Sequence, residues 1–316
     1  MTIRAHMMDQ PLMISDILRH AANCHGETQI ITRLPENGEI HRQGYFQTHE
    51  RTKQLANALK KKLKIKSGER VSTIAWNSHR HFELYYGISG MGAVIHTVNP
   101  RLDPKQLIWM LEHAGSKAVF FDKTFAPLID GIAKHCKGVK NWILMSDKSH
   151  LDCVSTKCLS YEELIADYPA EFDWPVFDEN AAAGLCYTSG TTGDPKGVLY
   201  SHRSNILHAM ACNSADVIGV GSRGVMLPVV PMFHVNAWGI PYACPMSGAT
   251  LVMPGAQMDG PSIHELLESE NVTYVAGVPT VWLGLLEYLQ KNNKRIDSVQ
   301  RVLIGGSALP EALLRA

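Results

Sequence analysis

Short apolar runs alternate along this chain with amphipathic stretches of helical period, a pattern that few folds tolerate. RVSTIAW (70–76) reads as a strand, and 78–88 as a helix with Phe82, Tyr85 and Ile88 on one side. AVIHTV (93–98) is a second strand, broken by Asn99 and Pro100, and Pro104 opens a helix through Leu111. KAVFFD (117–122) and NWILM (141–145) are further strands, with a helix near 124–135 between them. Strand–helix–strand alternation at these lengths forces crossover connections, hence parallel pairing and an α/β fold of sheets flanked by helices. A loop-like stretch from about 148 to 180, with a short helix at 161–167, gives an approximate subdivision into 1–177 and 178–316. Beyond it the alternation resumes: strands GLCYTS (184–189) and VLYS (198–201), a helix from about Ser204, then strands GATLVM (248–253), TYVAGV (273–278) and RVLIGG (301–306). Pro261 and Thr280 stand near the starts of later helices.

Charge decides less than its arrangement. Lys and Arg number 30, as do Asp and Glu, so bulk charge does not hold a nucleic acid. The run Lys60–Lys62 with Lys64 and Lys66 is expected on an amphipathic helix whose other face carries Leu55, Leu59 and Leu63, which makes it a solvated face. The seven cysteines form no CxxC and suit a reducing, cytoplasmic compartment, and the first residues carry no secretory pattern. From Gly224 to Met258 no Asp, Glu, Lys or Arg occurs. Pro228, Pro231, Pro241, Pro245 and His234 interrupt that stretch, so a buried apolar wall is expected there and not a membrane span.

Residues 187–197 read YTSGTTGDPKG. Four Ser/Thr hydroxyls, glycines that let backbone amides approach an anion, and one lysine point to a phosphate-binding loop, with an ordinary Gly-rich hairpin turn as the alternative that composition leaves open. It is not a Walker loop: counted from Gly190, Pro195 and Gly197 stand where a glycine and a hydroxyl are required. It joins strand to strand, so no helix dipole faces the phosphate.

The string resembles the signature loop of the AMP-forming adenylate enzymes: acyl-CoA synthetases, firefly luciferase and peptide-synthetase adenylation domains. GMGAVIHTVNPRL (90–102), GVLYSHRSN (197–205), PMFHVNAWG (231–239), GVPTVW (277–282) and IGGSALP (304–310) extend the resemblance in order. They look most like medium- to long-chain fatty-acid–CoA ligases and methylmercaptopropionate–CoA ligases. The resemblance implies attack of a fatty-acid carboxylate on Mg-ATP, giving acyl-AMP and pyrophosphate, then displacement of AMP by coenzyme A. It also implies ligand roles. Thr188, Ser189, Gly190, Thr191, Thr192, Gly193 and Lys196 would wrap the pyrophosphate end of ATP, with Thr188 helping to hold Mg2+. His234 would lie near the substrate carboxylate and the α-phosphate, making it and Lys196 the catalytic candidates. Trp238 would border the acyl tunnel, and Val235, Val278, Pro279 and Thr280 would line the acyl pocket. Gly305, Gly306 and Ser307 would pack against adenine. Asp194 is expected to face solvent.

The family continues with a Tyr-Gly-x-Thr-Glu segment, a ribose-binding Asp and a small mobile domain carrying a catalytic lysine. None follows here, and the helix opened by Pro310 has under two turns. Residues 1–316 are therefore expected to be an incomplete adenylation domain, inactive alone, and a homodimer is left open for the full-length form. Two rivals stand beside the ligase: a non-catalytic nucleotide- or partner-binding remnant, and an aryl- or amino-acid adenylating enzyme, which usually places a polar selector in the pocket.

Overall fold

Crossover helices sort the strands into two sheets. The computed structural model describes residues 3, 5–188 and 194–315. One sheet has seven strands, ordered β7-β6-β5-β3-β4-β8-β9. Its parallel part comprises β3 (Arg70–Ile74), β4 (Val94–Thr97), β5 (Ala118–Phe121), β6 (Asn141–Leu144) and β7 (Leu159–Ser160). Next to β4 runs β8 (Ala182–Thr188), also parallel, and β9 (Lys196–Ser201) returns antiparallel as the edge. Between these strands lie α3 (His79–Gly90), α4 (Pro104–His113), α5 (Ala126–Ile132) and α6 (Tyr161–Ala166).

The second sheet has six strands, ordered β13-β12-β10-β11-β1-β2. Here β10 (Val225–Pro228), β11 (Thr250–Met253), β12 (Tyr274–Gly277) and β13 (Arg301–Ile304) are parallel, joined through α8 (Ile240–Ser247), α9 (Gly260–Ser269) and α10 (Pro279–Lys291). An early hairpin, β1 (Gln29–Arg33) and β2 (Ile40–Gly44), completes the sheet by pairing β1 parallel to β11. Strands from either side of residue 177 thus occur in both sheets. Among the described residues the remaining α-helices are α1 (Ile14–Cys24), α2 (Tyr45–Lys61), α7 (His202–Cys212) and α11 (Glu311–Arg315).

Local chemistry sets the helix starts. Ser78, Asp103, Ser201 and Asp259 each accept a hydrogen bond from a first-turn amide of α3, α4, α7 and α9, which satisfies a donor the helix cannot. For α7 the cap moves the start back to His202, ahead of the expected Ser204. The expected helix at 124–135 is shorter: α5 covers 126–132 and is flanked by 3-10 turns. Lys64 and Lys66 fall beyond α2, because Lys62 is its C-cap and Lys64 has φ +58°. Leu55, Leu59 and Leu63 are buried as expected.

The core is not uniformly apolar. Every residue of α3 is buried, including Arg80 and Glu83. Arg80 pairs with Glu36 and Glu162, each at 2.7 Å, and Arg51 pairs with Glu83 at 2.7 Å and Glu162 at 3.0 Å. Burial on this scale is tolerated only because each charge has several partners. The wall from 224 to 258 is the opposite case: β10, α8 and β11 bury Met226, Leu227, Ile240, Tyr242, Cys244, Leu251 and Met253 without an ionic group among them. No helix among the described residues is long and apolar enough to cross a membrane.

Candidate functional site

Parallel strands deliver their carboxyl ends to one edge of a sheet, where ligands gather in open α/β folds. In the six-stranded sheet β13, β12 and β10 are neighbours, so the segments that follow them meet there. These segments begin at residues 305, 278 and 229, and they contain His234, Val235, Trp238, Val278, Pro279, Thr280, Gly305, Gly306 and Ser307. Contacts join them. A Cβ added to Gly305 would lie 3.1 Å from the Trp238 ring, and one added to Gly306 would lie 3.1 Å from Val278. Val278 and Thr280 share a cavity of about 250 Å³ with Val229, Pro231, Met258 and Arg101. Arg101 follows β4, so the carboxyl edges of the two sheets face each other across this cavity. Pro279 is buried at the start of α10, while Gly306 and Ser307 are exposed.

The segment after β10 has an unusual backbone. Val235, Asn236, Ala237 and Trp238 all take positive φ, at +48°, +51°, +47° and +55°, and Gly239 follows at +76°. Each non-glycine residue in this region costs roughly 1–2 kcal/mol, so surrounding contacts must hold the turn. Several do. Asn77, three residues beyond β3, donates to the carbonyls of Pro228 (2.8 Å) and Val230 (2.9 Å) and accepts from the Met232 amide (2.7 Å). The Tyr85 hydroxyl donates to the Met232 carbonyl and lies 3.2 Å from Asn236 Oδ1. Ala237 is fully buried, and the Trp238 carbonyl accepts from the Cys212 thiol at 3.8 Å. His234, at the entrance to the turn, is exposed, and Val235 is 43% exposed. Asn77 and Tyr85 were not among the expected site residues. The only signal for Asn77 is a polar residue at the end of an apolar strand.

The expected phosphate loop is built differently. Thr188 ends β8 and faces Lys196, the first residue of β9. Both are exposed, and the Thr188 hydroxyl donates to the Lys196 carbonyl at 3.4 Å. Asp194 is exposed, as expected. Ser189, Gly190, Thr191, Thr192 and Gly193 lie outside the described residues. The loop root reaches the strained turn through Cys186, whose thiol contacts Thr97 Oγ1 at 3.2 Å and Asn236 Oδ1 at 3.6 Å. Burial pushes the Cys186 thiol up from its ordinary range, so it acts here as a neutral packing group. Nearby, burial pushes the Asp122 carboxyl up to about 7 while it accepts from the Trp76 amide at 2.6 Å. Trp76 in turn packs on Phe233, one residue before His234.

The pattern of the AMP-binding enzyme family matches residues 18–316. The chain belongs to the AMP-binding enzyme family. It is 46% identical over 309 residues to the 3-methylmercaptopropionyl-CoA ligase of Ruegeria lacuscaerulensis, covering 98% of this chain and 57% of that protein. It is 44% identical over 310 residues to the medium-chain-fatty-acid–CoA ligase of Ectopseudomonas oleovorans, covering 98% of this chain and 56% of that protein. The chain thus spans little more than half the length of these AMP-binding relatives. Its fold matches the crystal structure of the anthranilate CoA ligase AuaEII in complex with anthranoyl-AMP, with a TM-score of 0.86 at 22% identity, covering 98% of this chain and 58% of that one. The expected arrangement of sheets flanked by helices is therefore the arrangement found in an AMP-binding enzyme.

Proposed function

We propose that the full-length protein activates an aliphatic carboxylate with ATP and passes the acyl group to coenzyme A. The carboxylate oxygen attacks the α-phosphorus, the bond to the β-phosphate oxygen breaks, and pyrophosphate leaves. The thiol of coenzyme A then attacks the acyl carbon and AMP leaves. One observation supports this reading: Cys186, on the hairpin bearing Thr188 and Lys196, contacts Asn236 in the turn that follows His234, within a stretch of sequence free of charged residues. In this reading an anion-binding loop and an apolar chain-binding surface share one rim.

In this reading Lys196 neutralises the polyphosphate, and the loop hydroxyls and amides orient it for in-line displacement. His234 binds the carboxylate end and the α-phosphate, where charge passes between them. Val235, Trp238, Val278, Pro279 and Thr280 border the alkyl chain, and Gly305, Gly306 and Ser307 offer a flat surface to adenine. Magnesium neutralises phosphate charge in such transfers. Among the described residues no three His, Cys, Asp or Glu gather to hold a cation. The exposed Thr188 hydroxyl, an oxygen donor, would be one ligand to an ion brought in on the nucleotide. The free cysteines suit a cytoplasmic setting.

ATP–pyrophosphate exchange tests the proposal in the full-length protein. Lys196→Ala is expected to lower kcat/KM for ATP on the order of a hundredfold, with little change in KM for the fatty acid. An unchanged exchange rate at subsaturating ATP removes the loop from the reaction. Absence of exchange in the wild type with any aliphatic carboxylate favours a non-catalytic binding protein.

A further inference from the structure

The roots of the phosphate loop are gripped from one side. Tyr187 precedes Thr188 on β8, and its hydroxyl lies 2.7 Å from His113 Nδ1, at the last residue of α4. The His113 ring stacks on Trp109 one turn earlier, with centroids 4.5 Å apart and planes 14° apart. The edge of Trp109 meets the Tyr187 ring at 6.1 Å and 83°, and His96 on β4 lies 5.1 Å behind that ring. The same Tyr187 ring lies across the returning strand: a Cβ added to Gly197 would stand 3.4 Å from Tyr187 Cζ. A single aromatic ring thus touches both stems of the loop, at the paired positions Tyr187 and Gly197.

What holds that ring is itself rigid. Asp103 caps α4, accepting from the Lys105 amide at 2.8 Å, and Leu107, Met110 and Leu111 bury its inner face. At its other end the Arg70 side chain donates to the Ala114 carbonyl. By contrast β9 is the outermost strand of its sheet, with Leu199 62% exposed, and the sheet alone fixes it on one side. A loop that must hold a polyphosphate in line needs more than an edge strand to fix its stems.

We infer that His113 and Tyr187 are positioning residues that clamp the phosphate loop to α4 for nucleotide binding. This rests on the nucleotide reading above. The pair touches no substrate; it acts through the stems at Tyr187 and Gly197, which carry Thr188 and Lys196 as their neighbours.

The test uses the full-length protein, Mg-ATP and octanoate. Tyr187→Phe and His113→Ala are expected to raise KM for ATP in pyrophosphate exchange roughly three- to tenfold, the effect of one lost hydrogen bond. KM for octanoate should stay within about twofold of wild type. The double variant should be no worse than either single one. His113→Asn, which returns an amide near the position of the imidazole Nδ1, should recover most of the loss. In hydrogen exchange, peptides spanning 194–201 should exchange faster in Tyr187→Phe than in wild type. Unchanged KM for ATP in both single variants overturns the clamp, as does an equal rise in KM for octanoate, which marks a general structural loss. If the wild type shows no pyrophosphate exchange, the nucleotide reading fails separately. Hydrogen exchange then decides: unaltered protection overturns the clamp, and faster exchange retains it as an anchor of the hairpin.

Discussion

The two segments that make the candidate site are opposites in construction. The hairpin of β8 and β9 puts Thr188 and Lys196 in solvent, paired directly opposite each other at the end of the antiparallel ladder. The segment after β10 is mostly buried, strained and tied by side chains from α3 and from the link that precedes it. The difference follows from the ligand chemistry proposed for each. A polyphosphate is met by many weak donors, and such donors can wait in water. An alkyl chain is met by shape, and shape requires a backbone held in one place. Function should therefore tolerate little change of side chain in the hairpin, and stability little change around the turn.

The largest expected effect on stability comes from the residue that ties the turn. Asn77→Ala leaves two carbonyls and one amide without the partner they have in the folded protein. It should cost about 2–4 kcal/mol. Thr188→Ala, which removes one long and exposed hydrogen bond, should stay within about 0.5 kcal/mol of wild type. Urea unfolding of the full-length protein compares them. Equal midpoint shifts would mean that the turn is no more dependent on its partners than the hairpin.

The same contrast explains what the sequence made legible. The hairpin announces itself because its chemistry lies in residue types, and YTSGTTGDPKG is readable without any fold. Strands β3 to β6 announce themselves too, since they are continuous apolar runs with helices between. The left-handed turn does not: VNAWG carries one glycine and one asparagine, and neither Val235 nor Trp238 favours positive φ. Its geometry comes from tertiary partners more than a hundred residues away, such as Asn77 and Tyr85. For the same reason β1 and β2 were missed as members of the six-stranded sheet. IHRQG on an edge has no apolar signature and pairs only with β1 in a local hairpin, while the place of β1 in the sheet is fixed by β11, far along the chain.

A smaller effect separates two glycines. Gly239 has φ +76°, and an added Cβ would stand 2.5 Å from His208 Nδ1. Gly197 has no such φ, and its closest neighbours, Leu185 and Tyr187, are side chains at 3.1 Å and 3.4 Å. Gly239→Ala should cost about 1–2 kcal/mol and Gly197→Ala less than about 1 kcal/mol. His208 is exposed and can swing aside, so most of the Gly239 cost is backbone strain. Pairing Gly239→Ala with His208→Ala separates the two causes. If the second substitution restores full stability, the clash and not the φ angle carries the effect.

The finest test concerns the direction in which the chain would lie along the turn. His234 is exposed at its entrance, whereas the Trp238 ring is half buried against Gly305, so the segment runs from a polar end to an apolar one. A carboxylate bound near His234 would point its alkyl chain toward Trp238. Each methylene buried on that path should add up to about 0.8 kcal/mol until the space is full, a several-fold gain in kcat/KM for every two carbons. Trp238→Ala removes bulk at the far end, so it should shift the optimum toward longer acids while sparing the shortest. His234→Ala acts at the end that every substrate shares, so it should lower kcat/KM by a similar factor at all lengths. Ratios within a chain-length series, not absolute rates, are the measurement, because truncating Trp238 also loosens packing on Gly305 and affects every substrate alike. A length profile unchanged by Trp238→Ala, or reshaped by His234→Ala, would overturn the assignment of head and tail along this turn.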